Sequence, residues 1–466
     1  MQHWWLPHSG QGLRRRISDD RVWLGCGVAP YIAVSGDAGV LDEVVPFLQG
    51  PALRPGAHDA FFLPGTSEES ASLFEHCARG LDQAMALTAA NGMPLIGTGD
   101  WNDGMNRAGD GGTGSSVWLG WLLIATMGPM APHADRRDPA RAARWRAHAE
   151  SLRAAIERDG WDGDRYRRGT DDDGTLPGSA TSDECRIDSI AQSRAVLSGA
   201  AQPDRARRAM ALVTQHLIRP DPGLALLFTP PFDRRPLDPG SIRGYPPGLR
   251  ENGGPYSHAA IWAVPAHARL GDGDAAGALF ALRNPVNHAL TPQAAARHKV
   301  EPYVSAADVY STRPHEGRGG WSWYRGSAGW MHRAGIEGLP GLNRAGPVLT
   351  LAPRFPRRWP RLEAAARLGG CSFDIVIDNA AGSGTGIAEA TIDGVAQALV
   401  GGAAALPITG GGHLPDKRTA ANTPRGRRVA RTMETARPPV LARPCATQTV
   451  PPPGQAEACA VTGRHA

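Results

Sequence analysis

The chain has 466 residues, of which 41% are apolar, and its formal net charge is +5. The charge is uneven, because residues 413–466 carry about +6 and residues 1–412 therefore carry about −1. Residues 1–412 are numerous enough to enclose a sizeable core. Their nearly neutral charge argues against nucleic acid as a partner and suits an uncharged ligand.

Helical periodicity dominates the first three quarters of the chain, and alternating strand patterns are scarce before residue 345. Thr66 and Glu69 form a candidate capping box, which predicts a long helix over residues 67–90. Two further predicted helices enclose Pro30 and Pro265, and a proline costs about 3 kcal/mol in a helix interior. Helices are also predicted at residues 22–34, 117–127, 139–159, 189–198, 203–217, 257–270, 274–283 and 327–339.

Tight turns of small residues alternate along the chain with three long loops, at residues 97–116, 228–257 and 298–326. Helix pairs joined in this way are typical of an (α/α) toroid, in which the long loops crowd one mouth. We therefore expect a mainly α fold, an (α/α)6-type toroid over residues 1–345, with the functional site at that mouth.

The pattern changes after the predicted toroid. Short strand-like segments at residues 348–351 and 371–377 indicate a small β module over residues 346–412. Residues 413–466 are rich in Pro, Thr, Arg and Ala without apolar periodicity, which predicts a disordered tail.

The cysteine spacing and the apolar segments indicate the compartment in which we expect the protein. The six cysteines show no paired spacing, so neither a disulfide framework nor a zinc site is indicated. The most apolar run, residues 117–127, is too short to span a bilayer, and no signal segment is recognised at the N-terminus. We expect a cytoplasmic protein with no metal, no cofactor and no membrane segment in this chain.

The four residues from Asp100 to Asp103 combine two carboxylates, an indole and an amide between glycines. The Trp101 indole can stack on a pyranose, the Asn102 amide can bond hydroxyls, and a carboxylic acid can protonate a glycosidic oxygen. The alternative is a loop in which the Asp and Asn side chains only bond the backbone.

Several segments of the chain occur in the same order as in a known family. Together they are stronger evidence of relationship than any single motif. From Gln2 to about Asp378 the chain resembles glycoside hydrolase family 94, in particular the phosphorylase-like C-terminal region of cyclic β-1,2-glucan synthases, and more distantly cellobiose phosphorylase. The segments that carry it are residues 2–5, 16–20, 67–73, 97–107, 183–193, 250–254 and 321–330.

The resemblance implies an inverting phosphorolysis in which Asp103 is the general acid and inorganic phosphate is the cosubstrate and nucleophile. No second carboxylate is then required as a base. Asp103 must stay protonated near neutral pH, which needs burial or a neighbouring anion such as Asp100 or the phosphate. Trp101 is expected to stack on the sugar, with a core tryptophan as the alternative.

The resemblance also implies a phosphate site. It points to His258 and to the turn that contains Arg325, Gly326 and Ser327. The family usually has Thr where this chain has Arg325, and the bulkier guanidinium can either strengthen an anion site or block it.

Other matched residues are expected to hold sugar. Arg250 and Glu251 correspond to a basic and acidic pair near the acceptor sugar, although such a pair is more often a surface ion pair. Arg16, Asp19 and Asp20 lie in one matched segment. We expect this segment to line the pocket, and the alternative is a solvated charged turn. Asp100 is expected to be structural or to bind sugar.

The family's barrel begins before Gln2, so the resemblance implies that one or two barrel helices and a donor-site segment are absent. The expected partners are a β-glucan oligosaccharide or polysaccharide, phosphate and the missing N-terminal portion of a larger synthase. Full-length relatives are anchored in the inner membrane through other domains.

Three functions therefore stay open. The first is phosphorolysis of a β-linked glucan, with β-1,2 linkage favoured and glucose 1-phosphate released. The second is an inverting hydrolase that uses Glu251 or Asp183 as base, about 6.5–9.5 Å from Asp103. The third is an inactive carbohydrate-binding remnant of a cyclic β-1,2-glucan synthase.

Overall fold

The protein is described by a computed structural model over residues 2–54, 56–234, 238–323, 325–368, 370–408 and 429–432. Helices and strands both contribute substantially, so the fold is mixed helix and sheet rather than mainly α. The helices are α1 (Asp20–Ser35), α2 (Leu73–Ala86), α3 (Val117–Asp135), α4 (Pro139–Ala155), α5 (Ser189–Ser198), α6 (Pro203–Leu217), α7 (Ser257–Arg269), α8 (Gly273–Arg283), α9 (Pro292–His298) and α10 (Arg325–Arg333). Short 3₁₀ or π turns occupy Ala38–Asp42, Ile156–Gly160, Ser241–Gly244, Pro285–Ala289 and Ala334–Gly338.

The strands form one group before α2, a set of two-residue pairs among the helices and a larger group after α10. The first group is β1 (Gln2–Trp5), β2 (Gly12–Arg15), β3 (Val44–Gln49), β4 (Asp59–Phe62) and β5 (Gly65–Ser72). The short strands are β6 (Ser115–Ser116), β7 (Gly169–Thr170), β8 (Ile187–Asp188), β9 (Ile218–Arg219), β10 (Leu224–Ala225) and β11 (Phe228–Thr229). The last group is β12 (Leu342–Ala345), β13 (Val348–Leu351), β14 (Arg361–Leu368), β15 (Cys371–Asp378), β16 (Glu389–Ile392), β17 (Val395–Ala396), β18 (Leu399–Val400), β19 (Ala403–Pro407) and β20 (Val429–Thr432).

The helices pack in two layers. Helices α3, α5 and α7 are buried on almost every face, whereas α2, α6 and α8 bury one side and expose the other. Each inner helix packs against the helix that follows it, and α1, α3, α5, α7 and α10 pack against one another in sequence. A helix that is apolar all round belongs in an interior, and an amphipathic one belongs outside it.

The predicted helix over residues 67–90 is wrong in its first part. Strand β5 occupies this region and pairs antiparallel with β3. Helix α2 begins only at Leu73, where the Ser72 hydroxyl accepts a hydrogen bond from the backbone N–H of Glu75 at 3.2 Å. Thr66 and Glu69 therefore lie in a strand, because pairing with a distant segment outweighs their local capping pattern.

Both helices that were predicted to contain a proline are present. Pro30 lies on the exposed side of α1, and Pro265 lies within α7. Helix α3 runs eight residues beyond its predicted end and encloses two more prolines, Pro129 and Pro132. The helix continues through them because its remaining faces are buried against neighbours.

Strands after α10 build two groups that pack on the helices, and their pairs are antiparallel except for β15 with β20. The first has the order β12-β13-β19-β18, and β14 pairs with β15 along its full length. Phe355, Phe373 and Ile375 share one buried core with Val264 and Leu279 of the helices. The predicted tail, residues 413–466, lies outside the described residues except for β20, which pairs with β15 and β16.

None of the helices among the described residues combines the length and the apolar character that a membrane span requires.

Candidate active site

A cavity of about 330 Å³ opens where the N-terminal ends of α1 and α7 meet the loop after α2. Most of the residues singled out in the sequence lie on its wall. Helix N-termini carry partial positive charge, so this end of the molecule favours anions and carboxylates. The lining residues are His3, Asp19, Asp20, Trp23, Asp100, Trp101, Asp103, Glu251, Tyr256 and His258.

The loop that carries the site is anchored by a buried ion pair. Asp100 is 1% exposed, and its carboxylate accepts from the Arg168 guanidinium, from the Ser116 hydroxyl at 2.7 Å and from the Asn102 backbone N–H at 3.1 Å. Arg168 is also 1% exposed and lies 3.6 Å from the Asp188 carboxylate. Both oxygens of Asp100 are therefore used within the protein, which makes it a structural residue.

A glycine at position 99 is required where the loop passes α1. Its φ is +116°, and an added Cβ would lie 3.0 Å from the Ile17 side chain. The Gly99 carbonyl accepts from the backbone N–H of Ser18 at 3.0 Å. This close approach fixes the loop against the segment that begins α1.

Asp103 faces the cavity with its side chain 46% exposed. Its Oδ2 lies 3.1 Å from an Arg15 nitrogen and 3.8 Å from His3 Nε2. Partial burial acts to raise the pKa of Asp103, but the ion pair with His3 and the charge of Arg15 outweigh it, and the pKa is lowered. This shift is opposite to the one that a protonated Asp103 at neutral pH requires, because Arg168 neutralises Asp100 and two cations face Asp103 instead.

Asp19 is the carboxyl that stays neutral in this cavity. It is 3% exposed, and its Oδ2 accepts from Trp23 Nε1 at 2.7 Å. Burial, with the nearby charge of Asp100, raises the pKa of Asp19 to about 8. A protonated carboxyl can donate as well as accept, so Asp19 is suited to a sugar hydroxyl. It is not part of a solvated charged turn.

The Trp101 ring lies between the cavity and the core. It is half-buried on the cavity wall, where its edge meets the ring of Tyr256 at a centroid distance of 5.5 Å. Behind the wall it packs at 5.4 Å against Trp262, which is fully buried. The neighbouring Asn102 is 1% exposed, and its Oδ1 has no hydrogen-bond partner among the described residues.

Arg250 and Glu251 form a largely buried pair and not a surface ion pair. Arg250 Nε lies 3.3 Å from Glu251 Oε2, and the side chains are 14% and 11% exposed. The Arg250 guanidinium stacks 3.8 Å from the centroid of the Trp321 ring. Burial raises the pKa of Glu251, which faces the same cavity as Asp103.

His258 is the second residue of α7, and its Nε2 is buried without a hydrogen-bond partner in the described part of the chain. Burial, together with the charge of Arg194, lowers the pKa of His258 to about 4, so the imidazole is neutral. The start of α10 is adjacent, because a Cβ added to Gly326 would lie 3.8 Å from the His258 ring. Ser327 follows, is 4% exposed and accepts from the Ser305 hydroxyl at 3.2 Å.

Two predicted residues do not reach this arrangement. Arg16 is exposed and donates to the Arg54 carbonyl at 3.4 Å, so its placement in the pocket is wrong. Successive residues along an extended segment point to opposite sides, and Arg15 is the one that faces Asp103. Arg325 is the first residue of α10, and its side chain lies outside the described part of the structure.

Residues 5–341 match the family model of the glycosyl hydrolase 94 superfamily, catalytic domain. The chain belongs to this superfamily. It is 50% identical over 385 residues to the cyclic β-(1,2)-glucan synthase NdvB of Rhizobium meliloti, a match that covers 82% of this chain and 14% of that protein. The family resemblance inferred from the residues is confirmed.

Phosphorylases are more distant relatives of this glycosyl hydrolase 94 domain. The solabiose phosphorylase of Paenibacillus borealis is 28% identical over 386 residues, which cover 81% of this chain and 46% of that protein. The 1,2-β-oligoglucan phosphorylase of Listeria innocua is 23% identical over 396 residues, covering 77% and 34%. The chain thus spans less than half the length of these relatives.

Sequence reasoning missed six residues of the candidate site, namely His3, Arg15, Arg168 and Arg194, with Trp23 and Tyr256 of the cavity wall. His3 lies in a segment that was matched to the family, but no role was assigned to it. Arg15 precedes the matched arginine by one position, and strand alternation was the signal that could have separated them. Arg168 and Arg194 carry no local signal, since their partners lie in distant segments.

Proposed function

We propose that the chain catalyses inverting phosphorolysis of a β-linked glucan, β-1,2-glucan in particular, and releases glucose 1-phosphate. One observation carries the proposal: Asp103 lines the same cavity as the buried imidazole of His258, one nitrogen of which has no hydrogen-bond partner among the described residues. An acid for the leaving oxygen and a site for the attacking anion are the two requirements of this reaction.

In the proposed reaction Asp103 protonates the glycosidic oxygen while a phosphate oxygen attacks C1 from the opposite ring face. The pKa of the Asp103 carboxyl is lowered, so substrate binding must bring it a proton. Sugar that displaces water from the half-exposed side chain would raise the pKa of Asp103 by desolvation.

The phosphate is proposed to lie between His258 and the beginning of α10. A neutral imidazole donates one N–H, and the nine-residue helix α10, whose first backbone N–H groups lack partners within the helix, begins beside the same ring. Gly326 leaves room there, since an added Cβ would meet only the His258 ring at contact distance. Ser327 and Arg325 complete the proposed set.

The sugar is proposed to lie between Trp101 and the carboxyl groups opposite. The indole offers a flat apolar face, and Asp19 and Asp20 offer donors and acceptors for hydroxyls. The Arg250 and Glu251 pair is proposed to hold the acceptor sugar, because both side chains are largely buried beside Asp103.

The architecture proposed around this site is an (α/α)6-type toroid. The sequential packing of the inner helices, each paired with an outer one, supports it. The proposed compartment is the cytoplasm, since the described cysteines carry free thiols.

A phosphate-dependence assay tests the proposed function. Purified protein incubated with β-1,2-glucan and inorganic phosphate is expected to release glucose 1-phosphate, with no sugar released when phosphate is omitted. Glucose release in phosphate-free buffer would instead support an inverting hydrolase. For a hydrolase, the proposed base is Glu251, which faces the cavity beside Asp103. Asp183 is exposed and is not among the residues that line the cavity. Saturable glucan binding without either product would indicate a binding remnant.

A change at His258 separates the phosphate site from the sugar site. His258→Phe keeps a ring against Trp262, whose centroid lies 4.6 Å away, but removes every N–H. A hydrogen bond to a charged group contributes about 1.5–3 kcal/mol, so we expect the KM for phosphate to rise about tenfold or more while the KM for glucan stays unchanged.

Steady-state kinetics with either substrate varied makes this measurement. His216→Phe, at an exposed position in the last turn of α6, is the matched control and should leave both constants unchanged. An equal rise in both KM values would place His258 outside the phosphate site.

A further inference from the structure

Three side chains from separate segments form a line that ends at Asp103. Asp20 Oδ1, at the start of α1, lies 2.9 Å from His3 Nδ1 on strand β1. The other ring nitrogen, His3 Nε2, lies 3.8 Å from Asp103 Oδ2. Each nitrogen of one imidazole therefore faces a carboxylate.

This geometry selects one protonation state of His3. A neutral imidazole has one N–H donor and one acceptor nitrogen, whereas an ionised carboxylate only accepts. Two carboxylates are matched only by the imidazolium, which has two donors. The ion pair with Asp103 and the hydrogen bond to Asp20 outweigh burial and raise the pKa of His3 to about 9. His3 therefore carries a proton at neutral pH, when Asp103 does not.

The other charged groups around the line do not supply a proton. Arg15, on β2, lies 3.1 Å from Asp103 and 3.9 Å from Asp59 of β4, and its guanidinium stays charged. Asp19 accepts from Trp23 Nε1, and no hydrogen bond joins it to Asp103 among the described residues. Glu251, on the loop before α7, is paired with Arg250.

We propose that His3, held by Asp20, is the proton reservoir that loads Asp103 when substrate binds. The proposal rests on the proposed role of Asp103 as general acid. His3 acts through Asp103 and does not itself touch the substrate, so it is a positioning residue for the acid.

The proposed proton transfer and phosphorolysis conserve atoms and charge. The N–H bond at His3 Nε2 breaks and an O–H bond forms at Asp103 Oδ2. That proton then passes to the glycosidic oxygen, whose bond to C1 breaks with the electron pair staying on oxygen, while a phosphate oxygen bonds to C1. The hydrogen of HPO₄²⁻ is released to water from the new ester, and a proton from water reloads His3.

Substrate binding supplies the trigger. Asp103 is half-exposed, and the charges of His3 and Arg15 stabilise its anion. A bound sugar would shield this side chain from solvent and an anionic phosphate would add a like charge nearby, and both favour the protonated carboxyl. The proton then moves the short distance from the imidazolium to Asp103.

An NMR titration of the histidine rings in the full chain tests the reservoir without any need for activity. The His3 signal, assigned by its loss in His3→Gln, is expected to titrate near pH 9. In Asp20→Asn and in Asp103→Asn, which each remove one carboxylate, its midpoint should move toward 6.5. A midpoint near 6.5 in the unmodified protein overturns the proposal.

A leaving-group comparison tests the reservoir during turnover. With β-1,2-glucan, whose leaving oxygen must be protonated, we expect His3→Gln to lower kcat about tenfold or more. With 2,4-dinitrophenyl β-glucoside, which needs no proton on its leaving group, the rate of phosphorolysis should be unchanged. The unmodified enzyme should lose glucan activity as pH rises through about 9, and the loss should come at lower pH in His3→Gln.

His8→Gln, at an exposed position of the same N-terminal segment, is the matched control and should behave as the unmodified enzyme. An equal loss on both substrates in His3→Gln means that His3 only supports the fold of the site, and the proposal fails. Full glucan activity in His3→Gln with none in Asp103→Asn overturns the reservoir but leaves the proposed acid intact. Absence of glucose 1-phosphate from the unmodified protein overturns the proposed function, and the NMR midpoint still decides whether His3 holds the proton.

Discussion

Asp103→Asn is expected to lower kcat for glucan phosphorolysis by about 10²–10⁴-fold, because an amide cannot transfer a proton to the leaving oxygen. The fold should persist, since Asp103 is half-exposed and its ion-pair partners, Arg15 and His3, are themselves partly exposed. Glucose 1-phosphate release over time, with circular dichroism for the fold, makes the measurement.

Asp110→Asn is the matched control for this change. Asp110 is an exposed aspartate of the same loop, 3.2 Å from the His58 ring, and its side chain is 43% exposed. The control should keep its activity. Asp103→Asn should also lose much less activity on 2,4-dinitrophenyl β-glucoside than on glucan. An unchanged rate on glucan in Asp103→Asn would remove Asp103 from the reaction.

Helices whose signals are local were predictable from the sequence. Helices α5 and α6 have the predicted bounds, since Asp188 caps the first with its carboxylate and Pro203 opens the second. Strands of the N-terminal region were not predicted. Pairing of β3 with β5 joins two exposed segments without apolar alternation, so the stabilising contacts are distant in sequence and leave no periodic signal.

The candidate site was predictable as a set of residue types but not as an electrostatic arrangement. The motif and the family resemblance placed Trp101 and Asp103 together because they are adjacent along the chain. The partners that set their charge are far away: Arg168 lies 68 positions from Asp100, and Arg15 lies 88 positions from Asp103. Which carboxyl stays neutral depends on those partners, so the sequence pointed to Asp103 where the structure has Asp19.

The buried pair beneath the loop gives the largest expected change in stability. Arg168→Met is expected to lower the free energy of unfolding by about 3–5 kcal/mol, because it leaves the Asp100 carboxylate buried without its cation. Both side chains are 1% or less exposed, so water cannot take the place of the guanidinium. Urea unfolding followed by tryptophan fluorescence gives the difference.

Arg146→Met is the matched control, since Arg146 pairs with Asp135 on the surface with side chains 52% and 45% exposed. An exposed pair of this kind contributes about 0–1 kcal/mol. If Arg168→Met changed stability no more than the control, the loop would not depend on the buried pair.

Because Asp100 precedes Asp103 by three residues, a loop released by Arg168→Met should also misplace the proposed acid. Part of the lost activity should then return when Arg168→Lys restores a cation, although a lysine cannot reproduce the two-sided contact with Asp100 and Asp188.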